Sequence, residues 1–433
     1  MPGLLRICTA GSVDDGKSTL IGRLLYDSRG VYEDQIRSVQ AASRNRSAGA
    51  IDFSLFTDGL RAEREQGITI DVAYRYFATA RRKFVLADTP GHEQYTRNMA
   101  TGASTAEVAI LLVDARHGVR EQTRRHARIA QLLGITTLVL AVNKMDTVDF
   151  DRAVFDDVCR EFARIQGNAR VHAIPLSALH GDNVITGSAR TPWFDGPSLL
   201  EFLETVEVDR DTTARPFRFP VQLVVRPSDD FRGYAGQICS GTIRVGDSLT
   251  VWPANRASRV TRIVTWDGDI DRAFAPMSVT LVLEHELDIS RGDVLATGPT
   301  EVGRRFDADI VWMDERPLDP GRVYLLKHGA RTVSAEIDRP FALNEIGAAT
   351  VSAARPLVFD SYQTDRMTGS FILIDPATNF TAGAGMIVKR IPEPRGVEPS
   401  SGAAARLAQA ARASASDSEA VDAVRRVLEE ILT

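Results

Sequence analysis

Apolar runs and helix-like stretches alternate along the first half of the chain. Leu4–Ala10 and residues 84–87, 138–142 and 171–176 read as strands; residues 17–26, 121–133, 151–165 and 198–206 read as helices. Alternation of this kind up to about Val208 predicts a mostly parallel sheet flanked by helices. After the segment Arg215-Pro-Phe-Arg-Phe-Pro220 the pattern changes. Short β-rich segments then recur between Gly, Pro and Asp, at 221–225, 236–243, 248–252, 259–266 and 279–283, without helices between them. Such spacing predicts a small antiparallel barrel. A second series at 305–313, 322–327, 331–337, 348–353, 371–374 and 385–390 predicts another, with a soft boundary between them at 299–303. The expected division is an α/β domain over 1–210, β-barrels over 211–300 and 301–393, and a tail over 394–433. The tail is rich in Ala, Ser, Arg and Gly. Asp417 can cap a last helix there, with Val421, Val424, Val427, Leu428, Ile431 and Leu432 on one face. That helix reads either as a docking element or as a weakly helical linker.

The turns after the predicted strands carry the chemistry. Where the first strand gives way to a helix stands Gly-x-x-x-x-Gly-Lys-Ser: Gly11, Ser12, Val13, Asp14, Asp15, Gly16, Lys17 and Ser18, with Thr19 following. Glycines at both ends let the loop curl so that backbone N–H groups and the helix N-terminus face phosphate oxygens. Lys17 supplies a cation near the β and γ phosphates, and Ser18 is left to ligate Mg²⁺. The run at 84–87 ends in Asp88, Thr89, Pro90 and Gly91, at a strand's C-terminal edge where ligands of open α/β sheets collect. The Asp88 carboxylate suits a water-mediated contact to magnesium. Gly91 can bring its N–H against a γ-phosphate, a hydrogen bond that ends when that phosphate is hydrolysed. His92 follows, placed to orient an attacking water; a histidine that caps the turn would occupy the same position.

The base is addressed further on. Asn143, Lys144, Met145 and Asp146 follow the run at 138–142, and Ser177, Ala178 and Leu179 follow the run at 171–176. Asp146 presents two oxygens in the plane needed to accept from N1–H and the N2 amine of guanine, a pattern adenine does not offer, while Asn143 and Lys144 brace the base and its loop. The expected ligands are therefore GTP and Mg²⁺, and the first domain reads as an α/β P-loop GTPase fold. A switch segment must also bring a hydroxyl to the metal. Thr69, within residues 61–71, is the candidate, although Ile68 and Ile70 would equally flank an ordinary strand threonine.

Composition narrows the setting. The 433 residues are 44% hydrophobic and 25% charged, with a net charge of −5, which lacks the basic excess of a protein gripping nucleic acid by electrostatics. The arginine-rich run at 120–128 reads as the solvated face of a helix. Three cysteines, Cys8, Cys159 and Cys239, have no C-x-x-C spacing, and the histidines form no H-E-x-x-H pair. No leader segment or membrane span is evident, so a cytoplasmic location is expected.

A GTP-binding domain followed by two barrels resembles the translation-factor GTPases. Within them, GSVDDGKSTLIGRLLYDS (11–28), DGLRAEREQGITIDVAYRYF (58–77) and DTPGHEQYTRNMATGAS (88–104) are similar to the GTPase large subunit of bacterial sulfate adenylyltransferase. So are RPFRFPVQLVVRP (215–227), FRGYAGQICSG (231–241) and ELDISRGDVL (286–295), and the resemblance covers roughly 4–392. Asp15 stands where tRNA-delivery factors usually carry His. The resemblance implies GTP hydrolysis coupled to formation of adenylylsulfate and pyrophosphate from ATP and sulfate, the adenylyl transfer being done by a separate small catalytic subunit in a hetero-oligomer. It implies neither a nucleic-acid nor a membrane partner. Some relatives carry a fused adenylylsulfate kinase, but no second Gly-x-x-x-x-Gly-Lys-Ser follows Ser18, and 298–305 lacks the lysine and serine. Delivery of tRNA and plain regulation remain the alternatives that the same architecture permits.

Overall fold

A computed structural model of the chain describes residues 3–28, 53, 71–91, 96–208, 212–228, 231–392 and 425. The first domain runs β1 (Leu4–Ala10), α1 (Lys17–Asp27), β2 (Ala73–Ala78), β3 (Lys83–Asp88), α2 (Thr96–Ser104), β4 (Val108–Asp114), α3 (Glu121–Leu132), β5 (Thr137–Asn143), α4 (Arg152–Ala163), β6 (Arg170–Pro175) and α5 (Leu199–Thr205). Every residue of β4 and β5 is buried, as expected for central parallel strands covered on both faces. The strand order is β2-β3-β1-β4-β5-β6, with β2 alone antiparallel to its neighbour. After β1 the chain forms β2 and β3 on one side and then crosses to β4 on the other. The crevice beyond the C-terminal end of β1 is therefore the topological switch point, where open α/β sheets bind ligands.

Alternate residues of β1 serve opposite faces. Leu5 and Ile7 pack with Leu20, Ile21 and Leu24 of α1 and with Leu199, Phe202 and Leu203 of α5. Cys8 and Ala10 pack with Met99 and Ala103 of α2, Ala127 and Ile129 of α3, and Phe155 and Phe162 of α4. Local chemistry sets the helix ends. Asp151 caps α4 by accepting from Ala153 N at 2.8 Å, and Ser198 with Glu201 forms a reciprocal capping box at α5. The 120–128 run departs from the expected solvated face at Thr123, His126 and Ala127, which are buried, and burial pushes the His126 imidazole down to about 3.

Both later domains are rings of strands. In the first, Ser248–Trp252, Val294–Ala296, Arg218–Ser228, Phe231–Gln237, Ser278–Leu283 and Arg256–Thr265 pair in that order, and the last pairs with the first. In the second, Glu301–Trp312, Ile346–Phe359, Arg331–Ile337, Tyr324–His328, Ser370–Ile374 and Thr381–Arg390 close into a barrel. This second barrel docks on the α2 and α3 face of the first domain. Val311, Tyr362 and Met386 join that domain's core, Tyr362 Oη donates to Leu133 O at 3.1 Å, and Arg366 donates to Ala106 O at 3.2 Å and to Gly134 O. Gly134 (φ +74°) leaves room for this, because a Cβ there would meet Arg366 Nε at 2.9 Å. Between the barrels, buried Arg218 forks onto Asp360 with two bonds of 2.9 Å. No helix among the described residues is long and apolar enough to cross a membrane.

Candidate nucleotide site

The C-terminal ends of β1, β3, β4 and β5 bring four loops together at the switch point. The loop after β1 curls through two left-handed residues, Asp14 (φ 69°) and Gly16 (φ 93°), the second capping α1. It is braced from within: the Asp15 carboxylate, itself buried, accepts from Ser12 N at 2.7 Å. Burial raises the Asp15 carboxyl, and this N–H together with nearby Lys17 works to lower it.

Lys17 is buried, and its ammonium donates to Gly11 O at 3.0 Å and Ser12 O at 3.2 Å. Burial pulls it below the usual lysine range, while the charges of Asp88, Asp15 and Asp14 pull the other way. Asp88 and Thr89, at the end of β3, are buried alongside. Thr89 Oγ1 donates to Thr9 O and so ties β3's end to β1. Gly91 follows in a space no side chain fits, since a Cβ would lie 2.3 Å from Lys17 Nζ and 2.5 Å from Gly11 O. A curled loop of N–H groups, a buried ammonium and a glycine lid with no Cβ form a cradle that fits a phosphate chain. Ser18 and Asp88 are oxygen donors of the type Mg²⁺ takes. Thr69 and His92 lie outside the described residues.

The remaining loops are tied to this cradle by the side chains of Asn143 and Lys144. Asn143, buried at the end of β5, donates from Nδ2 to Asp15 O at 2.7 Å and accepts at Oδ1 from Ala178 N at 2.9 Å. Gly16 must lack a side chain here as well, for a Cβ would meet Asn143 Nδ2 at 2.4 Å. Lys144, itself at φ 61°, reaches back to Asp14 O and pairs with Asp114 at 2.9 Å. Met145 is buried and donates from its backbone to Leu176 O at 3.2 Å. Asp146 projects beside the loop 177–180, its carboxylate 3.8 Å from His180 Nε2. Ser177 Oγ accepts from His180 N at 3.2 Å, whereas Leu179 is exposed. The motifs are thus one connected set of loops.

Asp114 and Arg116 are additions that the motifs did not announce. Burial alone would raise the Asp114 carboxyl, but hydrogen bonds from Arg116 and Lys144 hold it well below the usual carboxylate range. Asp114 ends β4, in line with Asp88 and Asn143 at the ends of their strands. That alignment was the available signal.

Asn143→Ala is expected to leave a buried carbonyl and a buried N–H unpaired at once. The cost should be about 2–4 kcal/mol of stability, and weakened GTP binding should accompany it. Thermal unfolding combined with calorimetric titration of GTP checks this; a variant that binds GTP normally would show that Asn143 does not hold the loops in register.

Comparisons with known proteins agree with this architecture. The model of the elongation factor Tu GTP binding domain matches residues 3–209, and that of the GTP-eEF1A C-terminal domain-like family matches 338–388. Sulfate adenylyltransferase subunit 1 of Bacteroides fragilis is 53% identical over 411 residues, which cover 90% of this chain and 86% of that protein. The protein of the same name from Aeromonas hydrophila is 51% identical over 409 residues, with 89% and 86% covered. The bifunctional enzyme NodQ of Rhizobium sp. is also 51% identical, but the chain spans only 64% of its length. Identity at this level across nearly the whole chain means that the protein belongs to the sulfate adenylyltransferase subunit 1 family.

Proposed function

We propose that this chain is the GTP-hydrolysing, energy-coupling subunit of a sulfate adenylyltransferase. In that assembly a separate, smaller catalytic subunit would join sulfate to the AMP part of ATP, releasing pyrophosphate, at the first step of sulfate assimilation. The observation that carries this reading is the 53% identity to a sulfate adenylyltransferase subunit 1 across 90% of the chain. A sulfate–phosphate anhydride is a high-energy bond, so the transfer runs uphill. Hydrolysis of GTP to GDP and phosphate supplies the missing drive.

Each residue is given the role that its motif calls for. The loop 11–18 cradles the phosphates through its N–H groups, and Lys17 neutralises charge that grows on them as the γ-phosphoryl leaves. Ser18 and, through water, Asp88 would hold Mg²⁺, with Thr69 closing over it; bound there, the ion screens phosphate charge. Gly91 meets the γ-phosphate and signals its departure, and His92 orients the attacking water. Asp146 reads guanine, with 143–144 and 177–179 framing the ring. The face around Thr69 and His92, with the barrels, meets the catalytic subunit. The expected location is the cytoplasm.

The test mixes the purified chain with its small partner subunit, ATP and sulfate, and follows adenylylsulfate with and without GTP. Formation should be much faster with GTP and should return to the basal rate with a non-hydrolysable analogue. No effect of GTP would remove the coupling, and retention of charged tRNA by the GTP form would move the reading to translation.

A further inference from the structure

Arg23 stands on α1, six residues beyond Lys17, and every nitrogen of its guanidinium is engaged. Nε donates to Asp27 Oδ2 at 2.7 Å, Nη1 to Leu179 O at 3.1 Å and Nη2 to His180 O at 3.3 Å. The last two are carbonyls of the loop that begins at Ser177, 156 and 157 residues away in sequence. Over the flat face of the same guanidinium lies the ring of Phe53, with its centroid 4.7 Å from Cζ. Phe53 belongs to the connection between α1 and β2, the same connection that contains Thr69.

Both approaches are cleared by glycine. A Cβ on Gly181 (φ +86°) would lie 2.5 Å from Arg23 Nη2, and a Cβ on Gly22 would lie 1.9 Å from Phe53 O. The Phe53 ring is held edge-on by Tyr26, with centroids 5.6 Å apart at 70°, and it is buried. A planar fork fixed by three hydrogen bonds and covered by an aromatic face is a rigid bracket, which a lysine could not reproduce.

We propose that Arg23 is a positioning residue that couples the base-framing loop 177–180 to the connection carrying Phe53, so that retention of guanine nucleotide depends on Phe53 remaining seated. The argument rests on the reading of 177–179 as the base-framing loop. Asn143 holds that loop at Ala178 from the phosphate side, and Arg23 holds it at the next two carbonyls from α1. When Phe53 withdraws, the face of the guanidinium that it covers is opened to water, the two carbonyl bonds weaken, and the loop is anchored at one end only. Loss of the Phe53 contact is thereby felt at the base-framing loop and takes the form of faster release.

The experiment measures dissociation of a fluorescent GDP from the full chain by stopped flow, for the parent, Arg23→Ala, Arg23→Lys, Phe53→Leu and the Arg23→Ala/Phe53→Leu pair. Release should quicken roughly tenfold in Arg23→Ala, be restored little by lysine, and quicken severalfold in Phe53→Leu. The double variant should match Arg23→Ala alone, because the two changes break one bracket. Single-turnover hydrolysis of bound GTP should stay within about twofold of the parent in every variant, which general damage to the fold would not allow. Unchanged release in Arg23→Ala, or effects of the two substitutions that simply multiply, would overturn the coupling. Asp146→Asn, run in parallel, separates the two levels. If its guanine preference persists, the base-reading assignment fails; if that preference is lost while Arg23→Ala releases GDP normally, only the bracket fails.

Discussion

Lys17→Ala is expected to slow GTP hydrolysis by roughly 100- to 1,000-fold at saturating nucleotide, the usual penalty for losing one preorganised donor to developing charge. The ammonium sits where burial opposes its charge, and two of its three hydrogens are taken up by Gly11 O and Ser12 O. Burial outweighs the attraction of Asp88, Asp15 and Asp14 at this ammonium, so folding gains little from its charge. The melting temperature of Lys17→Ala without nucleotide should therefore match or exceed that of the parent, while the stabilisation produced by added GTP should largely vanish. Lys17→Arg should not rescue hydrolysis. The site closes at Gly91, where even a methyl group would collide with Lys17 Nζ and Gly11 O, so a guanidinium has no room. The measurement is hydrolysis at saturating GTP together with thermal unfolding with and without it. Near-parental hydrolysis in Lys17→Ala would mean that the phosphate charge is met by another group.

The parallel sheet and the motif loops gathered at its edge were both readable along the chain, for a common reason. Strands buried on both faces leave continuous apolar runs, and the loops that cradle phosphates sit at their ends, so motif and strand announce each other. The run at 108–114 escaped assignment because periodicity alone cannot separate a short continuous apolar strand from a buried helix segment. In the structure it is β4, between β1 and β5. Helix α2, TRNMATGAS, carries Gly102 and two threonines in nine residues, a composition poor in helix formers. Its Gly102 is needed all the same, since a Cβ there would meet Thr89 Cγ2 at 2.6 Å.

Barrel strands were read less accurately, and glycine is again the cause. The expected strand at 236–243 is in fact Phe231–Gln237 and, separately, Thr242–Arg244. Gly233 and Gly236 argue against a strand by propensity, but a Cβ on Gly236 would lie 2.5 Å from Pro220 O on the paired strand. Ile346–Phe359 runs far past the expected 348–353, through a shift of register opposite Gly303 and Arg305 that lets one strand serve two alignments. Within the nucleotide site, the contiguous motifs were legible, while Arg23 and Asp114 were not. Arg23 owes its position to carbonyls, and carbonyls have no sequence signature.

Asp146→Asn is expected to swing the preference between GTP and XTP by about ten-thousand-fold, the scale on which sites built around a buried polar contact reject a ligand lacking its partner. Asp146 is the second residue of the short helical turn Met145–Val148, which begins directly after Lys144 in its left-handed conformation. The Met145 N–H bonded to Leu176 O locks this turn to the end of β6, so the carboxylate has little freedom to follow a different base. On the proposed reading both carboxylate oxygens of the parent accept, from N1–H and the N2 amine of guanine. Xanthine keeps N1–H but offers a carbonyl at position 2. An asparagine amide donates there and still accepts from N1–H, and faces the guanine amine with a donor. His180, 3.8 Å from the carboxylate, carries no information about position 2 and should not alter the swing; His180→Gln combined with Asp146→Asn should retain it. The check is kcat/KM for hydrolysis of GTP and of XTP by each variant. Asp146→Ala should weaken both nucleotides without inverting their order, because it removes the guanine contact and supplies no donor for xanthine. If Asp146→Asn still prefers GTP by the parental margin, the base is read by a group other than this carboxylate.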